Sequence, residues 1–196
     1  MTGILVVAEG IDASGKTSVL YAAKELLEDK GYSCRYVKGL RSKTVFGILA
    51  HVHTNTWTLF AELYAIDRYF VCPALEKYDI VLQDRSWPSL VVHHEFSSLE
   101  KRIGKIIIPK LSVPDFLTYF TVDDEKRNAR LLQRRNQRDL LLLESGWKAV
   151  ETRYDDLLQE YQGTYSILDT TKKSVEESAN DLVGKITKFK SLNPQE

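Results

Sequence analysis

The stretch VVAEGIDASGKTSVL, residues 6–20, decides the fold of this chain. It contains the phosphate-loop pattern G-x-x-x-x-G-K-[ST], whose defined positions here are Gly10, Gly15, Lys16 and Thr17. The continuous apolar run at 4–7 predicts a strand buried on both faces of a parallel sheet. After the pattern, apolar residues recur at helical spacing until Gly31, where the helix is expected to end. The stretch therefore predicts a strand, a phosphate-binding loop and a helix in that order.

A loop in this position turns its backbone N–H groups toward a polyphosphate, and the positive end of the following helix strengthens the attraction. Lys16 is expected to reach the terminal phosphates of ATP, and Thr17 to give an oxygen to Mg²⁺. The loop alone does not separate a kinase from a GTPase or an ATP-driven machine. The candidate nucleotide-binding residues are Gly10, Ile11, Asp12, Ala13, Ser14, Gly15, Lys16, Thr17 and Ser18.

The composition limits the class of protein. The chain has 196 residues, which suits one domain, and we place that domain at 1–190 with a frayed tail at 191–196. Lysine and arginine (27) balance aspartate and glutamate (27), so nucleic acid and anionic membranes are not expected partners. Cys34 and Cys72 show no metal-ligand spacing, and no apolar stretch approaches the ~20 residues of a membrane span. We therefore expect a cytoplasmic protein.

Four further strands are predicted, with helical sequence between most of them. Right-handed crossovers then give an α/β three-layer sandwich, with a central parallel five-stranded sheet and helices on both faces. Ligands of such sheets gather at the carboxyl ends of the strands, where Gly10, Lys38, Asp84, Asp123 and Asp169 are expected. The predicted strands are 32–39, 79–84, 114–123 and 164–170. The predicted helices are 43–78 (two helices divided near Thr54 and Asn55), 125–135 (capped by Asp123 or Asp124), 144–162 and 174–189.

Asp84 and Arg85 follow the buried run of the third strand. A carboxylate at a strand end can hold Mg²⁺ directly or through water, and an arginine beside it can bind a phosphate with two N–H groups. The alternative is a surface pair that caps the next helix. The phosphate loop favours the functional interpretation.

With these residues in view, the chain resembles the thymidylate kinase family of nucleoside monophosphate kinases, which have the P-loop NTPase fold. The family pattern E-G-x-D-x-x-G-K-T corresponds to residues 9–17, and L-F-A-A-D-R to LYAIDR at 63–68. The family pattern D-R-Y-x-x-S corresponds to DRSWPS at 84–89. The order continues with VPDFLTYFTVD (113–123), RRNQRD (134–139), TRYDDL (152–157) and ILDTT (167–171).

The resemblance implies transfer of the γ-phosphoryl group of ATP to a nucleoside monophosphate, with dTMP the expected acceptor, Mg²⁺ as the cofactor and a homodimeric assembly. It implies that Asp12 faces the acceptor sugar or the metal, that Tyr64 stacks on the base, and that Arg68 bonds the base or phosphate. His93 stands where an aromatic residue that excludes a ribose 2′-hydroxyl is often found. The implied catalytic residues are Lys16, Asp84, Arg85 and, in an arginine-bearing lid at about 134–146, Arg135 and Arg138.

Simpler interpretations stay open for several of these residues. Tyr64 could be a core aromatic residue, and the arginines of the lid could be a solvated basic helix end. His93 and His94 could titrate near neutral pH or bind a metal, although a buried and hydrogen-bonded pair is the ordinary alternative.

The acceptor side departs from the family pattern. The family motif T-R-E-P-G-G-T is replaced by the basic VKGLRSKT at 37–44, and the tyrosine after D-R is Ser86. A first rival is therefore a kinase of the same fold that phosphorylates a hydroxyl group, with Asp84 or Glu9 as the base. A second is a nucleotide-binding regulatory module, although the guanine-reading N-K-x-D motif does not occur in the sequence.

Overall fold

The computed structural model describes residues 3–39, 56–93, 97–134 and 147–193. Its centre is a five-stranded sheet in which all neighbouring strands pair in parallel, with the order β2-β3-β1-β4-β5. This confirms the predicted fold class, with the arginine-bearing lid outside the described residues. The strands are β1 (Ile4–Gly10), β2 (Cys34–Lys38), β3 (Ile80–Asp84), β4 (Phe116–Thr121) and β5 (Tyr165–Asp169).

Helical segments follow every strand. In chain order they are α1 (Lys16–Asp29), α2 (Thr56–Ile66), a π-helical turn (Asp67–Val71), α3 (Cys72–Leu75), α4 (Trp87–His93), α5 (Ser98–Ile107), a 3₁₀ turn (Ile108–Lys110), α6 (Asp124–Arg134), α7 (Trp147–Glu160) and α8 (Val175–Leu192). Helices α4 and α5 lie in a part of the chain for which no element was predicted. The helix boundary predicted near Thr54 and Asn55 lies outside the described residues.

The period of two along β1 separates the two faces of the sheet. Ile4, Val6 and Ala8 face a core shared with α1 and α8. Leu5 and Val7 face the other side, where the π-helical turn and α3 pack against them. Helices α4 and α7 cover the β4 end of that second face, through Val92, Leu117, Tyr119, Tyr154 and Leu158. The sheet is thus the middle of three layers, as the continuous apolar run of β1 predicts.

Side-chain caps mark the starts of α6 and α8, which follow the carboxyl ends of β4 and β5. Asp123 accepts a hydrogen bond from the Lys126 backbone N–H (2.7 Å) before α6, as predicted. Ser174 and Glu177 form a reciprocal capping box at the start of α8. Helix α8 continues to Leu192, two residues into the stretch predicted as a tail. In the described ranges, no helix combines the length and apolar character needed to span a membrane.

The strand register brings the predicted carboxyl-end residues to one edge. Asp84 at the end of β3 is the register partner of Ala8 in β1 and of Lys38 in β2. Gly10 lies opposite Phe120, and Asp169 opposite Thr121. The loop after β1 and the carboxylate after β3 are therefore neighbours, as the topology requires.

Candidate active site

The loop between β1 and α1 depends on the glycine at its start. Gly10 has φ 137°, and a Cβ atom there would collide with the Phe120 carbonyl oxygen. Further along the loop, Ala13 (φ 66°) and Gly15 (φ 90°) also have positive φ. The resulting bend leads directly into the first turn of α1, where Thr17 and Ser18 are exposed. A helix N-terminus behind such a bend is a site for anions.

Lys16 lies inside the loop, with 5% of its surface exposed. Its Nζ donates hydrogen bonds to the carbonyl oxygens of Gly10 (2.9 Å) and Ile11 (2.7 Å) and to Ser14 Oγ (3.1 Å). Burial and the nearby Arg85 charge lower the pKa of Lys16 to about 7, against the opposing effect of the surrounding carboxylates. In this structure the Lys16 side chain is thus held inside the loop by the loop's own oxygen atoms.

Thr17 and Asp84 form the predicted metal pair. Thr17 Oγ1 donates a 2.5 Å hydrogen bond to Asp84 Oδ2, which also accepts one of 3.1 Å from the Tyr36 hydroxyl. A carboxylate and a hydroxyl are the oxygen ligands that Mg²⁺ prefers, so the residues present fit this ion. Tyr36 was not predicted as a site residue, and its strand sequence carries no motif that would have identified it.

Arg85 follows Asp84 with a left-handed backbone, at φ 72°. Its Nη2 pairs with Asp12 Oδ1 at 2.7 Å, which joins the strand end to the phosphate loop. Its Nη1 donates to Ser89 Oγ (3.0 Å) and lies 3.1 Å from His93 Nε2. Three residues predicted from different motifs, Asp12, Arg85 and His93, therefore meet at one place.

Glu9 lies beneath this group and is only 1% exposed. Its Oε1 accepts a hydrogen bond from the Ser86 backbone N–H (2.7 Å). Its Oε2 accepts hydrogen bonds from the hydroxyl groups of Ser89 and Tyr154, the latter at 2.9 Å. Burial raises the pKa of Glu9, while Arg85 and these hydrogen bonds lower it, with a net upward shift. The sequence placed Glu9 in the family pattern but assigned it only the base of the rival reaction.

Arg130 on α6 joins the outer side of the loop to the end of β5. Its Nη1 donates to the Ala13 carbonyl and to Thr170 Oγ1, both at 3.0 Å, and its Nη2 donates to the Thr170 carbonyl at 2.9 Å. Thr170 Oγ1 in turn donates to the Ser14 carbonyl at 2.9 Å. Neither residue was predicted as part of the site, because both contacts span large separations in sequence.

Tyr64 and Arg68 lie on one helix face as predicted, with the guanidinium 5.3 Å from the tyrosine ring centre. Tyr64 is 43% exposed, so it is not a core residue. Arg68 donates to the Lys110 carbonyl and borders a cavity of about 560 Å³ with Gly3 and Asp115. Those two residues precede β1 and β4, so Arg68 lies toward the amino edge of the sheet, opposite the phosphate loop. Contact of these residues with the acceptor stays a prediction.

Arg135, Arg138 and His94 lie outside the described residues, as does most of the basic stretch that replaces the family motif after β2. Of that stretch, Lys38 ends β2, and the Gly39 backbone N–H donates to the Asp84 carbonyl at 2.8 Å. A Cβ atom on Gly39 would collide with the Arg85 carbonyl oxygen. Gly39, the residue directly after β2, thus lies against the backbone of Asp84 and Arg85.

Together these groups form a phosphate-binding loop with a lysine, a carboxylate–hydroxyl pair and an arginine at one sheet edge. Comparisons with known proteins agree with this arrangement. The family model described as thymidylate kinase matches residues 8–182. A probable thymidylate kinase of Methanocaldococcus jannaschii is 30% identical over 187 residues, covering 92% of this chain and 94% of the relative. A thymidylate kinase of Ligilactobacillus salivarius is 31% identical over 194 residues, covering 88% of this chain and 92% of the relative.

A solved structure of thymidylate kinase from Candida albicans has the same fold, with a TM-score of 0.72 at 16% identity. The match covers 96% of this chain and 93% of that chain. The family model spans most of the sequence. The matched range contains both the phosphate loop and Asp84 at the end of β3. By this match the chain belongs to the thymidylate kinase family.

Proposed function

We propose that this protein transfers the γ-phosphoryl group of ATP to dTMP and releases ADP and dTDP. The observation that carries the proposal is the arrangement at the sheet edge, where Lys16 and Thr17 of the phosphate loop lie beside Asp84 and Arg85. The thymidylate kinase family match supports ATP as the donor and a nucleotide as the acceptor.

On the donor side, the loop amides from Gly10 to Ser18 hold the phosphates, and Lys16 contacts the β- and γ-phosphates. The hydrogen bonds of Lys16 to the Gly10 and Ile11 carbonyls then exchange for bonds to phosphate oxygens. Thr17 and Asp84 would hold Mg²⁺, which when bound supplies positive charge to the transferring group. Asp84 is oriented for this role by the hydroxyl groups of Thr17 and Tyr36.

On the acceptor side, Arg85 binds the acceptor phosphate and balances its charge during the transfer. Asp12 holds the guanidinium from the loop side, and His93 lies next to it, toward the acceptor sugar. The family resemblance proposes Tyr64 and Arg68 for the base and Arg135 and Arg138 for a lid over ATP that excludes water, although Arg68 lies toward the sheet edge opposite Arg85. The transfer through Arg85 and Asp84 does not depend on those four residues.

The burial of Glu9 is evidence against the rival reaction in which Glu9 acts as the base that activates a hydroxyl acceptor. Its carboxylate already accepts hydrogen bonds from Ser86, Ser89 and Tyr154, and it is 1% exposed. A general base must reach the proton that it removes. An acceptor phosphate needs no such base, because it is already a nucleophile.

An acceptor screen with ATP and Mg²⁺ tests the proposal, read as ADP release and as product by chromatography. We expect ADP release with dTMP to exceed that with thymidine by on the order of a hundredfold, because only dTMP offers the phosphate that Arg85 binds. Faster turnover of thymidine would assign the protein to the rival kinases. Hydrolysis that no acceptor stimulates would assign it to the regulatory modules.

We also propose a cytoplasmic homodimer. Aromatic side chains near the end of α2 are exposed, with Tyr69 74% and Phe70 44% exposed, and a second copy would cover them. Both cysteines are free thiols, as a reducing compartment favours. Light scattering during size-exclusion chromatography should give twice the mass of 22.5 kDa. The mass of a single chain would refute the dimer without affecting the reaction.

A further inference from the structure

We propose that Tyr154, on helix α7, is a positioning residue that holds the Arg85 guanidinium in the orientation needed for phosphoryl transfer. The inference rests on the proposed role of Arg85 at the acceptor phosphate. Tyr154 is 1% exposed and lies 145 positions from Glu9, to which its hydroxyl donates. Nothing in the sequence between α7 and the phosphate loop indicates this contact.

Arg85 is held by a chain of hydrogen bonds with a defined direction. Its Nη1 donates to Ser89 Oγ, and Ser89 donates its single proton to Glu9 Oε2. Tyr154 donates to the same oxygen of Glu9 (2.9 Å), and its hydroxyl lies 3.1 Å from Ser89 Oγ. Because Ser89 gives its proton to Glu9, its oxygen is available to accept from Arg85. Tyr154 supports this direction as the second donor to Glu9 Oε2.

Tyr154 also contacts the second partner of the same nitrogen. Its ring meets the His93 ring edge to face, with centroids 6.1 Å apart and planes at 82°. His93 Nε2 lies 3.1 Å from Arg85 Nη1. An Nη group carries two hydrogens, so Ser89 and His93 together use both of them. Tyr154 therefore contacts both partners of Nη1, while Asp12 holds Nη2 from the loop side.

The need for such a support follows from the backbone of Arg85. A non-glycine residue at φ 72° is in a sparsely populated conformation that persists only where its surroundings determine it. Glu9 accepts from the backbone N–H of the next residue, Ser86, and so holds the turn as well as the side chain. Removal of the Tyr154 hydroxyl would loosen the Glu9 carboxylate, which holds both the backbone turn and, through Ser89, the Arg85 side chain.

The chain offers a matched control for the loss of a hydroxyl. Tyr119, on β4, packs against Tyr154 with ring centroids 5.0 Å apart and planes tilted by 35°, and it is equally a core residue, at 3% exposure. Tyr154→Phe and Tyr119→Phe each remove one hydroxyl from the same pair of rings. Only the first removes a donor to Glu9.

A double-mutant cycle with Arg85→Met separates positioning from packing. We expect Tyr154→Phe to lower kcat/KM for dTMP about tenfold in the native background and less than twofold in the Arg85→Met background. Tyr119→Phe should have an effect below twofold in both backgrounds. Equal losses for Tyr154→Phe in the two backgrounds, or no loss in the native one, would overturn the inference.

A spectroscopic measurement tests the same inference without any activity. With ¹⁵N-labelled arginine, the side-chain signal of Arg85, assigned by its absence in Arg85→Met, should shift in Tyr154→Phe and stay in place in Tyr119→Phe. A signal unchanged in Tyr154→Phe would refute the inference even in an active enzyme. If no acceptor is phosphorylated but the signal shifts, the proposed function fails and the positioning stands. Should Tyr154→Phe fold poorly, Ser89→Ala tests the next bond of the chain and should shift the Arg85 signal further, because Ser89 Oγ accepts directly from Arg85 Nη1.

Discussion

Thr17 and Asp84 are 67 positions apart in the sequence, and Thr17 Oγ1 donates a hydrogen bond of 2.5 Å to Asp84 Oδ2. The pair joins the first turn of α1 to the end of β3. Because β1 and β3 are neighbours in the sheet, the loop after one strand meets the carboxylate after the other. This relationship defines the side of the loop where a divalent ion would lie.

Asp84→Asn is expected to lower kcat by about a hundredfold or more and to raise the Mg²⁺ concentration needed for half-maximal rate. An amide keeps the hydrogen bond from Thr17 but loses the negative charge. Steady-state rates over a Mg²⁺ titration measure both effects. Asp169→Asn, at the end of β5, is the control, because Asp169 accepts from the Thr171 backbone N–H. Similar losses in the two variants would contradict the assignment.

Tyr36→Phe should weaken Mg²⁺ binding by about tenfold while leaving the fold intact, because a residue that orients a metal ligand tunes its affinity. The Tyr36 hydroxyl donates to Asp84 Oδ2 at 3.1 Å, and its ring stacks on Tyr21 with centroids 4.4 Å apart. Calorimetry of Mg²⁺ with the protein and ADP gives the affinity directly. Tyr32→Phe serves as the control, and an unchanged Tyr36→Phe affinity would show that Asp84 needs no such partner.

Lys16 should make the free energy of unfolding depend on pH. Burial lowers its pKa from 10.5 to about 7 in the folded protein, so between these values the unfolded chain binds more protons. The free energy of unfolding should therefore rise from pH 7 to about 10, with a slope of about 1 kcal/mol per pH unit from this group. Below pH 7 Lys16 is protonated in both the folded and the unfolded state. The free energy of unfolding there is lowered by the full cost of burying the Lys16 charge.

Urea unfolding of the native protein and of Lys16→Met at several pH values measures this dependence. The variant should be the more stable at pH 6.5, and the difference between the two should shrink as the pH rises. Lys24→Met changes a half-buried lysine that pairs with Glu28 on the surface of α1, and it should leave the slope unchanged. A native slope equal to that of Lys16→Met would contradict the burial of a charge in the loop.

Gly10→Ala should destabilise the protein by about 3 kcal/mol or more, because it combines a positive φ with a collision against the Phe120 carbonyl oxygen. Gly31→Ala isolates the first effect, since Gly31 also has a positive φ (90°) but a Cβ atom there meets nothing within 4 Å. Gly31→Ala should lower the free energy of unfolding by about 1 kcal/mol. If chemical denaturation gives the two variants equal losses of unfolding free energy, the contact between the new Cβ atom and the Phe120 carbonyl oxygen relaxes without cost.

The parts of the fold with a local signal were predictable. The motif around Lys16 and the apolar runs of β1 and β3 placed the loop beside Asp84, because the order of strands and helices leaves few topologies. Helices α4 and α5 were missed. Pro88 near the start of α4 is a helix-start signal that could have been used. The basic helix α6 was predicted, but not that Arg127 is 1% exposed with its guanidinium 4.9 Å from the Trp147 ring centre.

The supports of the site were not predictable from sequence. Tyr154, Ser89 and Glu9 stand inside motifs that the sequence shows, yet their common hydrogen bonds join β1, α4 and α7 across up to 145 positions. No spacing rule connects residues that far apart. Arg68 illustrates the opposite case. Its pairing with Tyr64 follows from helical spacing, whereas its position toward the amino edge depends on how the π-helical turn packs.

The left-handed backbone at Arg85 also has an evolutionary consequence. Glycine is the residue that adopts this conformation without penalty, and the conformation costs an arginine about 1 kcal/mol or more. Glycine after β3 would remove this strain but lose the contacts with Asp12, Ser89 and His93, so we expect the arginine to persist while phosphate binding is selected. Among descendants of this gene that have lost their activity, position 85 is therefore where we expect substitution to accumulate early.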